Sequence, residues 1–96
     1  MKKSETQKLL KKHQTLIQSD NRRVLSHVQR KVQLFDGDWI QHTLMIEGVD
    51  VPFKYKRKQR YQNLQGARVN LTYYPAEENV AGMAFEIMKV VRLKRS

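Results

Sequence analysis

Ninety-six residues without cysteine make one small domain with no disulfide frame and no thiolate chemistry. A chain of this size buries only about 60–65% of its unfolded surface, which argues against a deep substrate cavity. Nineteen Lys and Arg against nine Asp and Glu give a net charge of +10 and point to a polyanion: nucleic acid, anionic lipid or an acidic protein.

No apolar run approaches the roughly 18 residues of a membrane-spanning helix. The Met-Lys-Lys start lacks the apolar segment of a secretory signal, so a cytoplasmic protein without a membrane span is expected. Charge and periodicity divide the chain near residue 30. Residues 1–35 carry nine basic and two acidic side chains, residues 36–96 ten and seven. Ser4 followed by Gln7 reads as a capping box, and Leu9, Leu10, Leu16 and Ile17 recur at helical spacing, which predicts a helix over 5–18. After a break at Ser19, Asp20 and Asn21, the stripe Val24, Leu25, Val28 predicts a second short helix or a continuation of the first. Residues 1–30 thus read as a basic amphipathic helical extension. Leu10, Ile17 and Val24 lie seven apart, but His13, Asp20 and His27 accompany them, which gives a coiled-coil homodimer little support.

From Lys31 the period changes to two. Residues 31–35 read as a first strand, and Asp36-Gly37-Asp38 is the strongest hairpin signal in the chain. A second strand is expected over 39–47, a Gly48 turn, and a third strand over 51–58, with Pro52 favouring an edge or a bulge. Residues 61–66 form a connector, 67–74 a fourth strand, 75–79 a polar loop and 81–93 a fifth. The fifth strand is apolar on both faces (Met83, Phe85, Ile87 against Ala84, Met88, Val90), as a doubly covered central strand would be. Five antiparallel strands of this length favour closure, so residues 31–96 read as a small barrel. The expected class is α+β, mainly β: a five-stranded antiparallel barrel preceded by one or two N-terminal helices.

Strand alternation over 51–61 puts Lys54, Lys56, Lys58 and Arg60 on one face, with Phe53 and Tyr55 on the other. Same-face residues repeat every ~6.6–7 Å, roughly the step between phosphates on an extended strand. These four cations, with Arg57 beside them, are the first candidates for phosphate contacts. Trp39, Tyr61 and Tyr74 are the candidate stacking surfaces for bases. Tyr73 and Tyr74 must point to opposite faces, and with Val69 and Leu71 directed inward Tyr73 joins the core while Tyr74 faces out. Trp39 also suits packing at a barrel end. Lys8, Lys11, Lys12, Arg22 and Arg23 form a second basic surface on the expected helix, either solvated or in contact with phosphates.

The connector and its neighbours resemble a known family. Leu64, Gly66, Val69 and Leu71 in the order Leu-Gln-Gly-Ala-Arg-Val-Asn-Leu, with Tyr61 before them and Pro75 and Gly82 after, are similar to the pattern of bacterial translation initiation factor one and its relatives. The resemblance covers about residues 31–93. Ala67 stands where that family usually has Asp, and the basic N-terminal extension is foreign to it. The resemblance implies the five-stranded OB fold and a nucleic-acid face on strands two and three, not a role in translation initiation.

Catalysis finds little support. His13, His27 and His42 are fourteen and fifteen residues apart and match no metal-ligand spacing. Asp36 and Asp38 belong to the turn, Glu77 and Glu78 to a polar stretch, and no phosphate loop or nucleophile elbow occurs. The expectation is a non-enzyme without metal or cofactor that binds single-stranded RNA or DNA. The alternative is a protein-interaction module that uses the N-terminal helix or an exposed edge strand toward an acidic protein.

Overall fold

The computed structural model describes residues 16–96. They form five strands: β1 (Ile17–Leu34), β2 (Gly37–Ile46), β3 (Phe53–Arg57), β4 (Arg68–Val80) and β5 (Met83–Arg95). The strands close into a barrel in the order β1-β2-β3-β5-β4. All pairings are antiparallel except a short parallel contact between β3 and β5. That order and pairing are consistent with an OB-like fold.

Closure depends on β1, whose first half pairs with β4 and whose second half pairs with β2. Two register shifts, between Ser19 and Arg22 and between Val24 and Ser26, let one strand serve two walls. An inserted residue bends and twists a strand locally. At the first shift Asn21 adopts φ 56°, and its N–H donates to the Asn70 side-chain oxygen at 2.8 Å.

The interior is built from alternate residues of each wall. Leu44 and Ile46 of β2, Phe53 and Tyr55 of β3, and Val69, Leu71 and Tyr73 of β4 meet Val24 and Val90 in one cluster. Phe53 and Tyr73 pack edge to face with centroids 4.7 Å apart, a favoured arrangement for two rings. Leu64, from the connector between β3 and β4, completes this cluster. Gly66 makes the connector possible: at φ 85° it occupies a conformation that L side chains resist, and its N–H reaches the Val24 carbonyl at 2.8 Å.

Several expectations need correction. The described residues are all-β, so the α+β class is overturned. The stripe Val24, Leu25, Val28 lies in β1, not in a helix. The helix expected over 5–18 falls outside the described residues as far as 15, and Ile17 and Gln18 open β1. Residues 75–79, expected as a loop, are strand. Beyond Pro75 and Met88, β4 and β5 pair only with each other, as a two-stranded ribbon turning at Ala81 and Gly82, both at positive φ. Pro75 is tolerated because β1 pairs with β4 only as far as Tyr73, so no lateral neighbour needs an N–H there. The fifth strand is therefore not doubly covered: Met83 and Phe85 are exposed on the ribbon. Among the described residues no helix is long and apolar enough to cross a membrane.

Candidate nucleic-acid interface

The outer face of β2 and β3 follows from the inner one. Ile40, His42, Leu44, Phe53 and Tyr55 are buried, so the residues between them point outward. The register sets Thr43 opposite Lys54 and Gln41 opposite Lys56. One step further, beyond the last paired residues, Lys58 lies over Trp39, its ammonium 4.3 Å from the ring centroid. The result is a ladder of three lysines, each facing a polar or aromatic side chain. At its end the Trp39 indole N–H donates to Asp36 at 2.9 Å. That bond, aided by the Lys58 charge, holds the Asp36 carboxyl below its ordinary range.

The ladder is not uniformly free. Lys54 donates to Glu78 of β4 at 2.6 Å, and both side chains are mostly shielded from solvent. The other ion pair among the described residues joins Lys31 and Asp38, so Lys56 and Lys58 form no ion pair there. Lys89 of β5 lies directly opposite Lys54 on one side and Tyr74 on the other. Lys56, Arg57 and Lys89 line a shallow cleft of about 260 Å³ that also includes Glu78 and the buried Ile87 and Val90.

The expected row of four cations shortens to three. β3 ends at Arg57, and Arg60 turns back to β1, where its guanidinium donates to the Gln29 carbonyl at 3.0 Å. Arg57 stays beside the ladder with its guanidinium 5.0 Å from the Tyr55 ring centroid and one N–H on the Lys56 carbonyl. Tyr61 is about half exposed, and its backbone is clamped at both ends: the Gln29 side chain accepts from its N–H at 2.9 Å and donates to its carbonyl at 2.7 Å. Tyr74 lies on the outer face, as expected. Trp39 lies there too, with one ring face taken by Lys58. Of the second basic surface, Lys8, Lys11 and Lys12 lie outside the described residues. Arg22 and Arg23 sit on β1, and Arg22 donates to the Glu47 carbonyl at 2.9 Å.

Sequence reading missed a buried histidine relay. The Leu64 N–H donates to His27 Nδ1 at 3.0 Å, which leaves the His27 proton on Nε2, where it is donated to His42 Nδ1 at 2.9 Å. The remaining His42 proton, on Nε2, faces the Gln59 carbonyl at 3.4 Å. His42 also stacks flat on Tyr55, with centroids 4.7 Å apart. Burial lowers both imidazole pKa values from the ordinary range, with the neighbouring His42 adding to the effect at His27. Burial pushes the Tyr55 hydroxyl up to about 12. The relay ties β1, β2 and the 59–64 connector together beneath Tyr61. Its signal was faint, since single histidines spaced by fifteen residues announce no pairing.

No protein-family model matches the chain, and neither a curated protein nor a solved structure matches it significantly.

Proposed function

We propose that the chain is a non-catalytic module that binds single-stranded nucleic acid, RNA or DNA, along the outer face of β2 and β3. One observation carries this reading: Lys56 of β3 and Lys58 just beyond its end project beside Gln41 and Trp39, Lys89 continues the charge on β5, and none of the three cations forms an ion pair among the described residues, the nearby Asp36 carboxylate being engaged by the Trp39 indole. A strand face of this kind offers phosphate contacts at the ~6.6–7 Å same-face repeat, and Tyr61 and Trp39 offer ring surfaces for bases. The OB-like barrel supports the reading by analogy, because such barrels commonly bind oligonucleotides on this face. The likeness of residues 64–71 to initiation factor one supports fold and face, not a task in translation. A cytoplasmic location belongs to the same proposal.

The test is fluorescence anisotropy of labelled single-stranded RNA, single-stranded DNA and duplex DNA, with the wild-type chain and Lys54→Glu/Lys56→Glu/Lys58→Glu. Three phosphate contacts on a single strand predict a salt slope of about −2, at roughly −0.7 per phosphate. A folded triple variant that binds as tightly as wild type would contradict the reading.

A protein-interaction role gains from a different observation. The ribbon of β4 and β5 has unpaired edges and exposes Val80, Met83 and Phe85, features that invite strand addition. If no nucleic acid binds, this ribbon is the next surface to probe.

A further inference from the structure

We propose that the bound strand does not stop at β3 but continues along β5 and across β4 to β1, over Lys89, Arg92, Lys94, Arg68 and Arg23. This inference rests on the nucleic-acid reading and extends its footprint to the opposite wall of the barrel.

A bulge in β5 carries the argument. Tyr74 faces Lys89 and Tyr73 faces Val90, but Thr72 faces Arg92, so Val91 is an extra residue in the strand. Residues directly opposite in an antiparallel pair point to the same side, and an insertion of one residue exchanges the faces beyond it. Without the bulge, strict alternation from Lys89 would send Val91 and Leu93 outward and aim Arg92 and Lys94 at the core. With it, Leu93 packs against the core beside Leu71, while Arg92 and Lys94 join Lys89 on the outer face, opposite Thr72 and Asn70. Bulges often re-aim side chains in this way next to binding sites.

The path continues on β4 and β1. Arg68 and Arg23 are directly opposite each other, both exposed, and neither has a carboxylate partner among the described residues. Like charges in that position destabilise a sheet. The fold gains nothing visible from this pair beyond one bond from Arg68 to the Asn21 carbonyl at 3.0 Å. Arg92 and Lys94 line a cleft of about 300 Å³ with Gln18, Asn70 and Thr72, in which Asp20 is the one acidic side chain. Polar neighbours and a cationic rim suit a phosphodiester backbone, with sugar and phosphate oxygens accepting from Asn70, Thr72 and the cations. β5 joins the two surfaces, since Lys89 lines the first cleft and Arg92 and Lys94, further along the same strand, line the second.

The experiment compares single-stranded oligonucleotides of about 6 and about 18 nucleotides, lengths that bracket the site sizes of such barrels, over a range of salt. In the wild type, the long strand should show a salt slope steeper by about 3 than the short one, as four further phosphate contacts, to Arg92, Lys94, Arg68 and Arg23, require at roughly −0.7 each. Arg92→Glu/Lys94→Glu should weaken the long strand roughly tenfold or more, remove about half or more of the extra slope, and leave the short strand within about twofold. The neutral Arg92→Gln/Lys94→Gln variant should move the long strand in the same direction and by less. Equal slopes for the two lengths in the wild type, or equal weakening of both strands in the variants, would overturn the extended path and leave the β2–β3 face standing. Absence of binding to either length would overturn the underlying reading as well.

Discussion

β2 and β3 present one face to the barrel interior and the other to solvent, and what fixes the two faces differs. Inside, Phe53, Tyr55, His42 and Leu44 are held by contacts on every side, and each polar atom of the relay has a named partner. Outside, Lys56 owes its position to the pleat that its buried neighbours impose, and Lys58 adds only its contact with the Trp39 ring. The fold needs the inner set and leaves the outer set available for a ligand. Changes inside should therefore appear as lost stability, and changes outside as lost binding.

The largest separation is expected at Phe53, which is almost fully buried. Phe53→Ala should cost about 3–5 kcal/mol by chemical denaturation, whereas Lys56→Ala should stay within about 0.5 kcal/mol. Equal effects would mean that the outer lysines are structural.

His42 comes next. His42→Ala opens a cavity and strips a partner from His27, for an expected loss of about 2–4 kcal/mol near pH 7.5. The relay also makes stability depend on pH. Both imidazoles have depressed pKa values in the fold, so the unfolded chain binds more protons once pH drops below the ordinary histidine value of about 6.5. The relay's contribution is complete above that value and is lost as pH falls through the lowered folded values. Arg57 and Arg60 near His42 act in the same direction, while the Gln59 carbonyl opposes it. Denaturation midpoints between pH 7.5 and pH 5 should fall in the wild type and fall less steeply in His42→Ala.

The smallest effect is expected at Tyr61. Gln29 holds its backbone, so Tyr61→Ala should change stability little while weakening single-strand binding by about 1–3 kcal/mol if one base stacks there. A variant that loses stability and keeps binding would assign the ring to the core.

The same contrast explains what could be read from the sequence. The alternation through Lys54 and Tyr55 and the inward Tyr73 follow a strict period of two, and the structure keeps them; the hairpin expected at Asp36-Gly37-Asp38 forms one residue earlier, turning at Phe35 and Asp36 with Gly37 and Asp38 already paired in β2. The β1 strand was hidden because Val24, Leu25 and Val28 imitate a helical stripe, whereas the register shift between Val24 and Ser26 brings Val24 and His27 to the inner face and leaves Leu25 and Val28 exposed. Ser19, Asp20 and Asn21 resembled a break between helices, where the strand instead bends at Asn21. The acidic stretch at Glu77 and Glu78 suggested a loop, because a ribbon without lateral neighbours needs no apolar alternation. Of the candidate interface, the lysines were legible and their pairing was not. Glu78 engaging Lys54, Lys58 covering Trp39 and the bulge that brings Arg92 beside Lys89 are all contacts between distant segments.

The most direct measurement is a two-dimensional amide correlation spectrum of isotopically labelled protein titrated with a short single-stranded oligonucleotide. The account predicts that the largest shift changes fall on the Trp39 indole and on the amides of Gln41, Thr43, Lys56, Lys58 and Lys89, while Phe53 and Leu44 move little. Changes confined to the ribbon around Met83 and Phe85, or no changes at a concentration where the strand is in excess, would contradict the assignment of the β2–β3 face.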